Sequence, residues 1–323
     1  MARISIVVPV FNEAPNLRAF IQRTKAVALG LPEHSFQVIF VDDGSKDGSA
    51  DLLRDLAAEE SMVTALLLSR NFGHQAALTA GLDHADGDAI VMMDGDLQHP
   101  PELIPTMIQK WLAGAEVVYT IRRPSRSTNP WREGLGRFFY GLLSTIARVE
   151  IHQGAADFRL LNRRAADSLG SMRERQRFLR GMVSWIGFRQ EALEFEVADR
   201  FAGRSKYSLR RLLRFAADGV MSFSSFPLRL SFYLGLIIAA IDAVLIVNVC
   251  VDYYFNNLPP GWATLACLVL FFGGMNLIVL GIMGEYIARI YEQSKERPLY
   301  FIRASFGPEA PAEPSDPRSV RDR

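Results

Sequence analysis

The chain has 323 residues, enough for one globular domain and a second, smaller region. Its 36 lysines and arginines nearly balance its 35 acidic residues, and the resulting charge of +1 argues against a nucleic-acid-binding protein. Cys250 and Cys267 both lie in apolar stretches, so we expect buried side chains rather than a disulfide or a metal site. The N-terminus enters a strand pattern without a signal peptide, which predicts that the N-terminal domain stays in the cytoplasm.

From Ile4 to Tyr119, apolar runs rich in β-branched residues alternate with helical patterns. The predicted strands are Ile4–Val10, Phe36–Val41, Val63–Leu68, Ala89–Met93 and Glu116–Tyr119. The predicted helices are Asn16–Leu29, Ser49–Glu60, His74–His84 and Pro101–Ala113. This alternation predicts a doubly wound, mostly parallel sheet, in which ligands gather beyond the carboxyl ends of the strands.

The first two strands end in motifs suited to a nucleotide. Phe11-Asn12-Glu13 follows the first strand, and Asp42-Asp43-Gly44-Ser45 ends the second. An aromatic face can stack on a base, and carboxylates can accept hydrogen bonds from a base or a ribose. Asn12 and Asp47 are also suited to capping helices, and the two roles are compatible. Because the sequence has no P-loop and no G-x-G-x-x-G motif, an NTPase or a dinucleotide enzyme is disfavoured.

Asp94-Gly95-Asp96 places two carboxylates at the end of the fourth strand. Hard oxygen ligands of this kind suit Mg²⁺ or Mn²⁺, which can bridge the oxygens of a diphosphate. Acidic pairs at strand ends also serve as turn and cap residues. Gln98 adds a third possible oxygen ligand, and a helix begins with Pro101 directly afterwards, so this context favours the metal site.

The composition changes after Ser208. Arginines alternate with apolar residues over 208–229, which predicts an amphipathic juxtamembrane helix, with an ordinary surface helix as the alternative. Leu230–Val251 and Gly261–Gly284 are each long and apolar enough to span a membrane, whereas a buried helical hairpin is the alternative. Lysines and arginines flank this pair and are missing from the connection, which predicts that both termini are cytoplasmic. The Pro-rich stretch from Pro308 to Arg323 predicts a disordered tail.

Several sequence motifs resemble those of one known family in their residues and in their order along the chain. They are Val8-Pro9-Val10-Phe11-Asn12-Glu13, Val41-Asp42-Asp43-Gly44-Ser45-Lys46-Asp47-Gly48, Arg70-Asn71-Phe72-Gly73-His74-Gln75-Ala76-Ala77, Met93-Asp94-Gly95-Asp96-Leu97-Gln98-His99-Pro100-Pro101-Glu102, Ala156-Asp157-Phe158-Arg159-Leu160 and Gly203-Arg204-Ser205-Lys206-Tyr207-Ser208. Over roughly residues 4 to 300 the chain is similar to family 2 glycosyltransferases of the GT-A fold. Within them it resembles the polyprenyl-phosphate glycosyltransferases, relatives of dolichyl-phosphate mannose synthase and of the bactoprenol glucosyltransferases.

The resemblance implies a role for each matching residue. It implies that Asp94 contacts both nucleotide and metal, that Asp96 and Gln98 complete the protein's metal ligands, and that the metal is Mg²⁺ or Mn²⁺. The residues implied for the nucleoside are Pro9, Phe11, Glu13 and Asp43. Those implied for the donor and lipid phosphates are Arg122, Ser205 and Lys206, with a further basic residue at Arg137 or Arg132. The family usually has alanine at Gly95, which should loosen the turn, and many relatives have Lys-Glu at His74-Gln75, to which we assign no role.

Family analogy implies an inverting transfer of a sugar to polyprenyl (undecaprenyl) phosphate, with a UDP-hexose favoured as donor and GDP-mannose as the alternative. The lipid phosphate is already anionic at neutral pH, so a strong general base is less necessary than for a sugar hydroxyl. The resemblance places Asp157 near the acceptor, and three roles are considered for it. It orients the reactants or the donor sugar, acts as a base, or forms a structural ion pair with Arg159. The main catalytic contribution should be neutralisation of the departing diphosphate by the metal and by basic groups. The predicted catalytic residues are Asp96, as a metal ligand, and Asp157, as the carboxylate near the acceptor.

These expectations combine into a GT-A glycosyltransferase domain at residues 1–207, the amphipathic segment 208–229, a two-helix transmembrane hairpin at 230–285 and a cytoplasmic tail at 286–323. The expected location is the inner (cytoplasmic) membrane, with the bilayer, a nucleotide sugar and a polyprenyl phosphate as partners and no nucleic acid. Relatives of this kind often assemble as tetramers, so the resemblance implies a homo-oligomer. The rival hypotheses are a transferase of the same fold with another acceptor, and a non-catalytic scaffold that binds nucleotide sugar.

Overall fold

The computed structural model describes residues 1–122, 155–175, 177–195, 226–255, 261–308 and 310. The chain forms two compact units. The described part of the first unit, called here the catalytic unit after the expectation stated above, comprises residues 1–122, 155–195 without 176, and 297–310 without 309. The described part of the second, called the helical unit, comprises residues 226–255 and 261–296.

The catalytic unit is built on an eight-stranded sheet. Its strands are β1 (Ala2–Val10), β2 (His34–Asp42), β3 (Val63–Leu68), β4 (Ala89–Met92), β5 (Val117–Arg122), β6 (Ala155–Asn162), β7 (Gln190–Phe195) and β8 (Ile302–Phe306). They lie in the order β7-β5-β6-β4-β1-β2-β3-β8. β3, β2, β1 and β4 run parallel to one another, and β5 is parallel to β7, whereas β6 and β8 are antiparallel to their neighbours. The predicted mostly parallel sheet is therefore confirmed.

Helices connect the parallel strands β1 to β5, as crossovers between such strands require, and two further helices lie between β6 and β7. They are α1 (Ala14–Leu29), α2 (Ser49–Glu59), α3 (His74–His84), α4 (Ile104–Leu112) after a 3₁₀ turn at Pro101–Leu103, α5 (Arg163–Ser171) and α6 (Leu179–Trp185). The five predicted strands and four predicted helices all occur, with ends shifted by a few residues. The sequence patterns do not predict β6, β7 or β8, and β8 (Ile302–Phe306) lies within the stretch 286–323 that the sequence predicts to be a cytoplasmic tail.

The sheet is covered on both faces because its strands alternate two sets of apolar side chains. On one face Ile6 and Val8 of β1 belong to the main core, where the rings of Phe20 and Phe40 meet edge to face with centroids 5.7 Å apart. On the other face Val7 packs under α3, where a Cβ added to Gly81 would lie 2.1 Å from Val7 Cγ1. The doubly wound arrangement expected from the sequence is the one observed.

The helical unit consists of two long helices, α7 (Phe226–Phe255) and α8 (Trp262–Ser294), of 30 and 33 residues. At 1.5 Å per residue both exceed the roughly 30 Å of a bilayer's hydrocarbon core. Large apolar side chains on both are exposed, among them Ile237 and Leu277. Within the described residues one stretch, Phe271–Ser294, is long and apolar enough to span a membrane by length and composition. It begins later than the predicted Gly261–Gly284, and a second span in α7 stays a prediction. The predicted segment 208–229 lies outside the described residues as far as residue 225.

Candidate active site

The loops after β1 and β2 meet at the carboxyl edge of the sheet. The two strands pair in parallel to their last residues, Val10 opposite Asp42, and the Asp43 N–H continues the ladder by donating to the Val10 carbonyl at 2.8 Å. The predicted nucleoside residues Pro9 and Asp43 therefore lie on adjacent strand ends. Phe11 follows β1 with its ring 47% exposed, which leaves an aromatic face open to a ligand.

Side-chain hydrogen bonds fix the loop that carries Phe11 and Glu13. Asn12 has a φ of 58°, a left-handed conformation that asparagine tolerates better than most residues. Its side-chain carbonyl accepts from the Lys46 N–H at 2.8 Å, and its own N–H donates to Ser45 Oγ at 2.9 Å. The loop after β1 is thus tied to the loop after β2, and the local capping role considered for Asn12 becomes a bond between two site loops.

Asp43 is held by a third loop. Its carboxylate is buried and accepts hydrogen bonds from the Phe72 N–H at 2.6 Å and the Gly73 N–H at 2.9 Å. Burial raises the pKa of Asp43, and these two bonds oppose the shift. Gly44, at φ 71°, allows the close approach, because a Cβ there would lie 2.8 Å from the Arg70 carbonyl carbon. Asp43 is therefore a rigidly oriented acceptor at this edge.

Negative charge accumulates between these loops. Burial raises the pKa of Glu13, a hydrogen bond from Asn16 at 2.6 Å opposes the shift, and the carboxylates of Asp96, Asp47 and Asp94 add to it. These groups are thus close enough to repel one another, and bringing carboxylates together is costly unless a cation neutralises them.

The acidic triplet follows β4 in a tightly folded loop. The Asp94 N–H donates to Nδ1 of His99 at 3.0 Å, and His99 is fully buried and stacked on Phe158 with centroids 5.2 Å apart. Leu97 has a φ of 61°, a conformation that costs free energy in a bulky residue and is concentrated at functional sites. The turn at Leu97 lets the Gln98 N–H donate to Asp96 Oδ1 at 3.1 Å. Gly95 abuts Val8, whose Cγ1 would be 3.3 Å from an added Cβ, so an alanine here requires Val8 to shift slightly.

Asp157 lies in β6, with its carboxylate in an extended network of charges. The Arg180 guanidinium of α6 donates two hydrogen bonds to it, from Nε and one terminal nitrogen, each 2.8 Å long. Burial alone would raise the pKa of Asp157, but the bonds and charge of Arg180, with the charge of Arg159, hold it well below its ordinary value. Burial in turn lowers the pKa of Arg159 to about 10. The ion pair expected with Arg159 is therefore made chiefly with Arg180.

His74 connects the two acidic clusters. Its Nε2 lies 3.6 Å from Asp94 Oδ1 and 3.9 Å from Asp157 Oδ2. Its neighbour Gln75 accepts a hydrogen bond from the Leu179 N–H at the start of α6, the helix that carries Arg180. Although the sequence analysis gave His74 and Gln75 no role, both lie at the site.

The residues fit a hard divalent cation. Mg²⁺ is usually bound by one or two carboxylates together with substrate phosphates and water, and Asp94, Asp96 and the Gln98 amide supply oxygen donors of that kind. Within the part of the chain that the structure describes, no group of three or more His, Cys, Asp or Glu side chains is arranged like a metal centre.

The side chains of the predicted phosphate-binding residues lie outside the part of the chain that the structure describes. Arg122 is the last residue of β5, opposite Phe195 of β7, and its side chain is outside the described residues. Arg132, Arg137, Ser205 and Lys206 also lie outside the described residues. Arg180 and His74 are the basic groups that the structure brings to the site and that sequence reasoning missed. His74 lies within the motif Arg70–Ala77 and could have been identified from it. Arg180 lies in none of the sequence motifs described above.

The chain is similar to proteins of known sequence over most of its length. Residues 5–170 match the sequence profile described as Glycosyl transferase family 2. "Uncharacterized glycosyltransferase YkcC" of Bacillus subtilis is 40% identical over 304 residues, 94% of each chain. "Bactoprenol glucosyl transferase" of Shigella phage SfV is 39% identical over 302 residues, 93% of this chain and 98% of that protein. Among solved structures, glucosyl-3-phosphoglycerate synthase from Mycobacterium tuberculosis, in complex with Mn²⁺, UDP and glucosyl-3-phosphoglycerate, has a TM-score of 0.47 at 18% identity over 68% of this chain and 78% of that one.

Proposed function

This chain belongs to glycosyl transferase family 2 and is a glycosyltransferase, and we propose that it transfers a hexose from a nucleotide diphosphate sugar to a polyprenyl phosphate with inversion. The observation that carries the proposal is the meeting of the acidic loops after β1, β2 and β4 at one edge of the sheet, with the Asp157–Arg180 pair connected to Asp94 through His74. The bactoprenol glucosyl transferases, similar over nearly their whole length, support a polyprenyl phosphate as the acceptor.

The nucleoside binds, in this proposal, between the ends of β1 and β2. The exposed ring of Phe11 offers a stacking face, Pro9 shapes the strand end, and Asp43 and Glu13 accept hydrogen bonds from base or ribose. Asp43 suits this task because the Phe72 and Gly73 amides hold its carboxylate in one orientation before a ligand arrives. We favour a UDP-hexose as donor, with GDP-mannose as the alternative.

Asp94, Asp96 and Gln98 would hold Mg²⁺ or Mn²⁺ against the donor diphosphate. The metal's chemical contribution is to neutralise negative charge on the departing nucleotide. Arg122, Arg137, Ser205 and Lys206 are assigned to the phosphates of donor and acceptor, where guanidinium and ammonium groups stabilise charge that develops during transfer. We add Arg180 to this set, because its guanidinium lies at the site beside Asp157 and its side chain is 31% exposed.

Asp157 acts as an orienting group in this proposal rather than as a general base. Its two hydrogen bonds from Arg180 and the charge of Arg159 stabilise the ionised carboxylate, which weakens it as a proton acceptor. The acceptor phosphate needs little deprotonation, so a weak base costs the reaction little. Asp157 instead fixes Arg180 in one position beside the reacting groups.

The sheet supports two membrane crossings. Strands β1–β7 precede α7 in the chain and β8 follows α8, yet all eight belong to one sheet. Because a folded sheet lies on one side of a membrane, the chain between β7 and β8 has to cross an even number of times. We assign one crossing to α7 and one to α8, with the catalytic unit and both termini at the cytoplasmic face of the inner membrane. The homo-oligomer implied by the family stays a prediction.

The test is a transfer assay with the purified full-length chain. It would be incubated in detergent with UDP- or GDP-sugars, Mg²⁺ or Mn²⁺ and undecaprenyl phosphate, and the glycolipid product would be identified by mass. We expect one donor class to give product and EDTA to abolish it. No product from any donor, while nucleotide sugar still binds, would favour the scaffold hypothesis.

Asp96→Ala is the matching substitution. Loss of a carboxylate that holds the metal should lower the transfer rate on the order of 100-fold or more. Asp51→Ala is the control, because Asp51 is an acidic residue of α2 whose side chain is 78% exposed. Full activity in Asp96→Ala would contradict the metal assignment.

A further inference from the structure

The segment that follows α8 returns to the catalytic unit and reaches the nucleotide site. β8 pairs antiparallel with β3 at the edge of the sheet, with Ala304 opposite Leu67 and Ile302 opposite Leu68. The ladder extends one step further, because the Ser69 N–H donates to the Phe301 carbonyl at 2.9 Å. Phe301 is therefore fixed at the start of the loop that runs from Ser69 to Gly73.

The side chain of Phe301 packs on that loop. Its ring lies against the ring of Phe72, with centroids 6.2 Å apart and the planes tilted by 50°. The Arg70 guanidinium also lies over the Phe72 ring, 4.1 Å from its centroid. An aromatic pair and a stacked guanidinium each stabilise the position of the ring beyond the effect of buried area alone. Phe72 is thus held by contacts on its ring as well as through its backbone.

The backbone of the same loop orients Asp43. The Phe72 and Gly73 N–H groups both donate to its carboxylate, and the loop is pressed so closely on Gly44 that no Cβ fits there. A movement of Phe72 therefore moves the donors that hold Asp43. The path from Phe301 to Asp43 consists of one ring contact and one hydrogen bond.

We propose that Phe301 is a positioning residue for donor binding: it fixes the Ser69–Gly73 loop and so orients the Asp43 carboxylate toward the nucleoside. The inference rests on the proposed function, since it needs a nucleoside bound at Asp43. A ligand that meets a preorganised acceptor loses less conformational entropy on binding than one that must order it. Removing the ring should therefore weaken nucleotide binding and leave the transfer step itself unchanged.

Tyr300 is the matched control because it is the neighbouring aromatic residue and makes different contacts. Its hydroxyl donates to Asp83 Oδ2 at 2.9 Å near the end of α3, where Asp83 also pairs with Arg173 at 2.7 Å. Tyr300→Phe removes a hydrogen bond from the same segment while leaving Phe301 and Phe72 in place. A general loosening of the segment would appear in both variants, whereas a positioning effect is specific to Phe301.

The experiment compares wild type, Phe301→Ala, Phe301→Tyr and Tyr300→Phe as full-length protein in detergent. The dissociation constants for UDP and GDP would be measured by calorimetric titration, and donor KM and kcat in the transfer assay. For Phe301→Ala we expect the dissociation constant of the preferred nucleotide and the donor KM to rise about five- to tenfold at unchanged kcat. Phe301→Tyr keeps the ring and should bind within about twofold of wild type, as should Tyr300→Phe.

The outcomes separate this inference from the proposed function. A wild-type protein that binds neither nucleotide overturns the proposed function and, with it, the role of Phe301. If the wild type binds and Phe301→Ala binds equally well, the inference alone is wrong. Equal weakening in Phe301→Ala and Tyr300→Phe would also overturn it, since it would show only a loosened segment.

Discussion

At the scale of single residues, charge pairing governs the properties of the site. The Asp157 side chain is only 15% exposed to solvent. Its carboxylate nevertheless stays ionised, because Arg180 donates two hydrogen bonds to it. Taking either partner away leaves a charge without compensation in a poorly hydrated position. The same pairing that weakens Asp157 as a base makes it a reliable anchor for a guanidinium.

Arg180→Leu tests this anchor. We expect the variant to lose about 2–3 kcal/mol of folding free energy, because the Asp157 carboxylate, only 15% exposed, loses both hydrogen bonds from Arg180. Thermal unfolding in detergent would measure the loss. Arg18→Leu is the control, since the Arg18–Glu59 pair is exposed on both sides and its removal should leave the unfolding midpoint unchanged. Equal midpoints for Arg180→Leu and wild type would contradict the pairing.

The contribution of this pair also depends on pH. The pKa of Asp157 in the folded protein is below that of an aspartate in an unfolded chain, so the pair stabilises the fold fully above about pH 4 and progressively less as pH falls toward the folded-state pKa. The difference in unfolding midpoint between wild type and Arg180→Leu should therefore be complete at pH 7 and smaller at pH 3. A difference that grows on acidification would contradict the lowering of the Asp157 pKa by Arg180.

At the scale of elements, the packing of α3 on β1 leaves no room at Gly81. A Cβ there would lie 2.1 Å from Cγ1 of the buried, β-branched Val7. Gly81→Ala should therefore destabilise the catalytic unit by about 1–3 kcal/mol through overpacking. Gly170 is the matched helical glycine in α5, with Asp83 Oδ1 as the nearest atom at 3.8 Å, so Gly170→Ala should stabilise by about 0.4–1 kcal/mol. Shifts of the same sign in the two unfolding midpoints would refute this packing argument.

Elements also show what the sequence could and could not predict. β1 to β4 consist mostly of apolar residues because they are buried on both faces. Strands of this kind can be predicted from the sequence alone. β7 reads Gln-Glu-Ala-Leu-Glu-Phe and β8 Ile-Arg-Ala-Ser-Phe, with only partial burial, so neither has that signature. The acidic loops could be located because they follow readable strands. Arg180 could not, because it meets Asp157 only through the packing of α6, 23 residues further along the chain.

At the scale of the whole molecule, the two proposed membrane crossings can be tested by cysteine labelling in intact cells. Asn257→Cys, between α7 and α8, should react with a membrane-impermeant thiol reagent added outside the inner membrane. Ser315→Cys, beyond β8, should react only after permeabilisation. The wild type, with Cys250 and Cys267 in the helices, is the control for background. Labelling of Ser315→Cys from outside would contradict the proposed cytoplasmic location of the segment after β8.

The position of β8 in the chain has a consequence for biosynthesis. A ribosome makes β1 to β7 first, then both long helices, and only then the strand that covers the outer edge of β3. While both long helices are being synthesised, the N–H and C=O groups on that edge stay open to pairing with other chains. The nucleotide loop at Ser69–Gly73 also lacks Phe301 during this time. The nascent chain therefore acquires β8 and Phe301 only after both long helices have been synthesised.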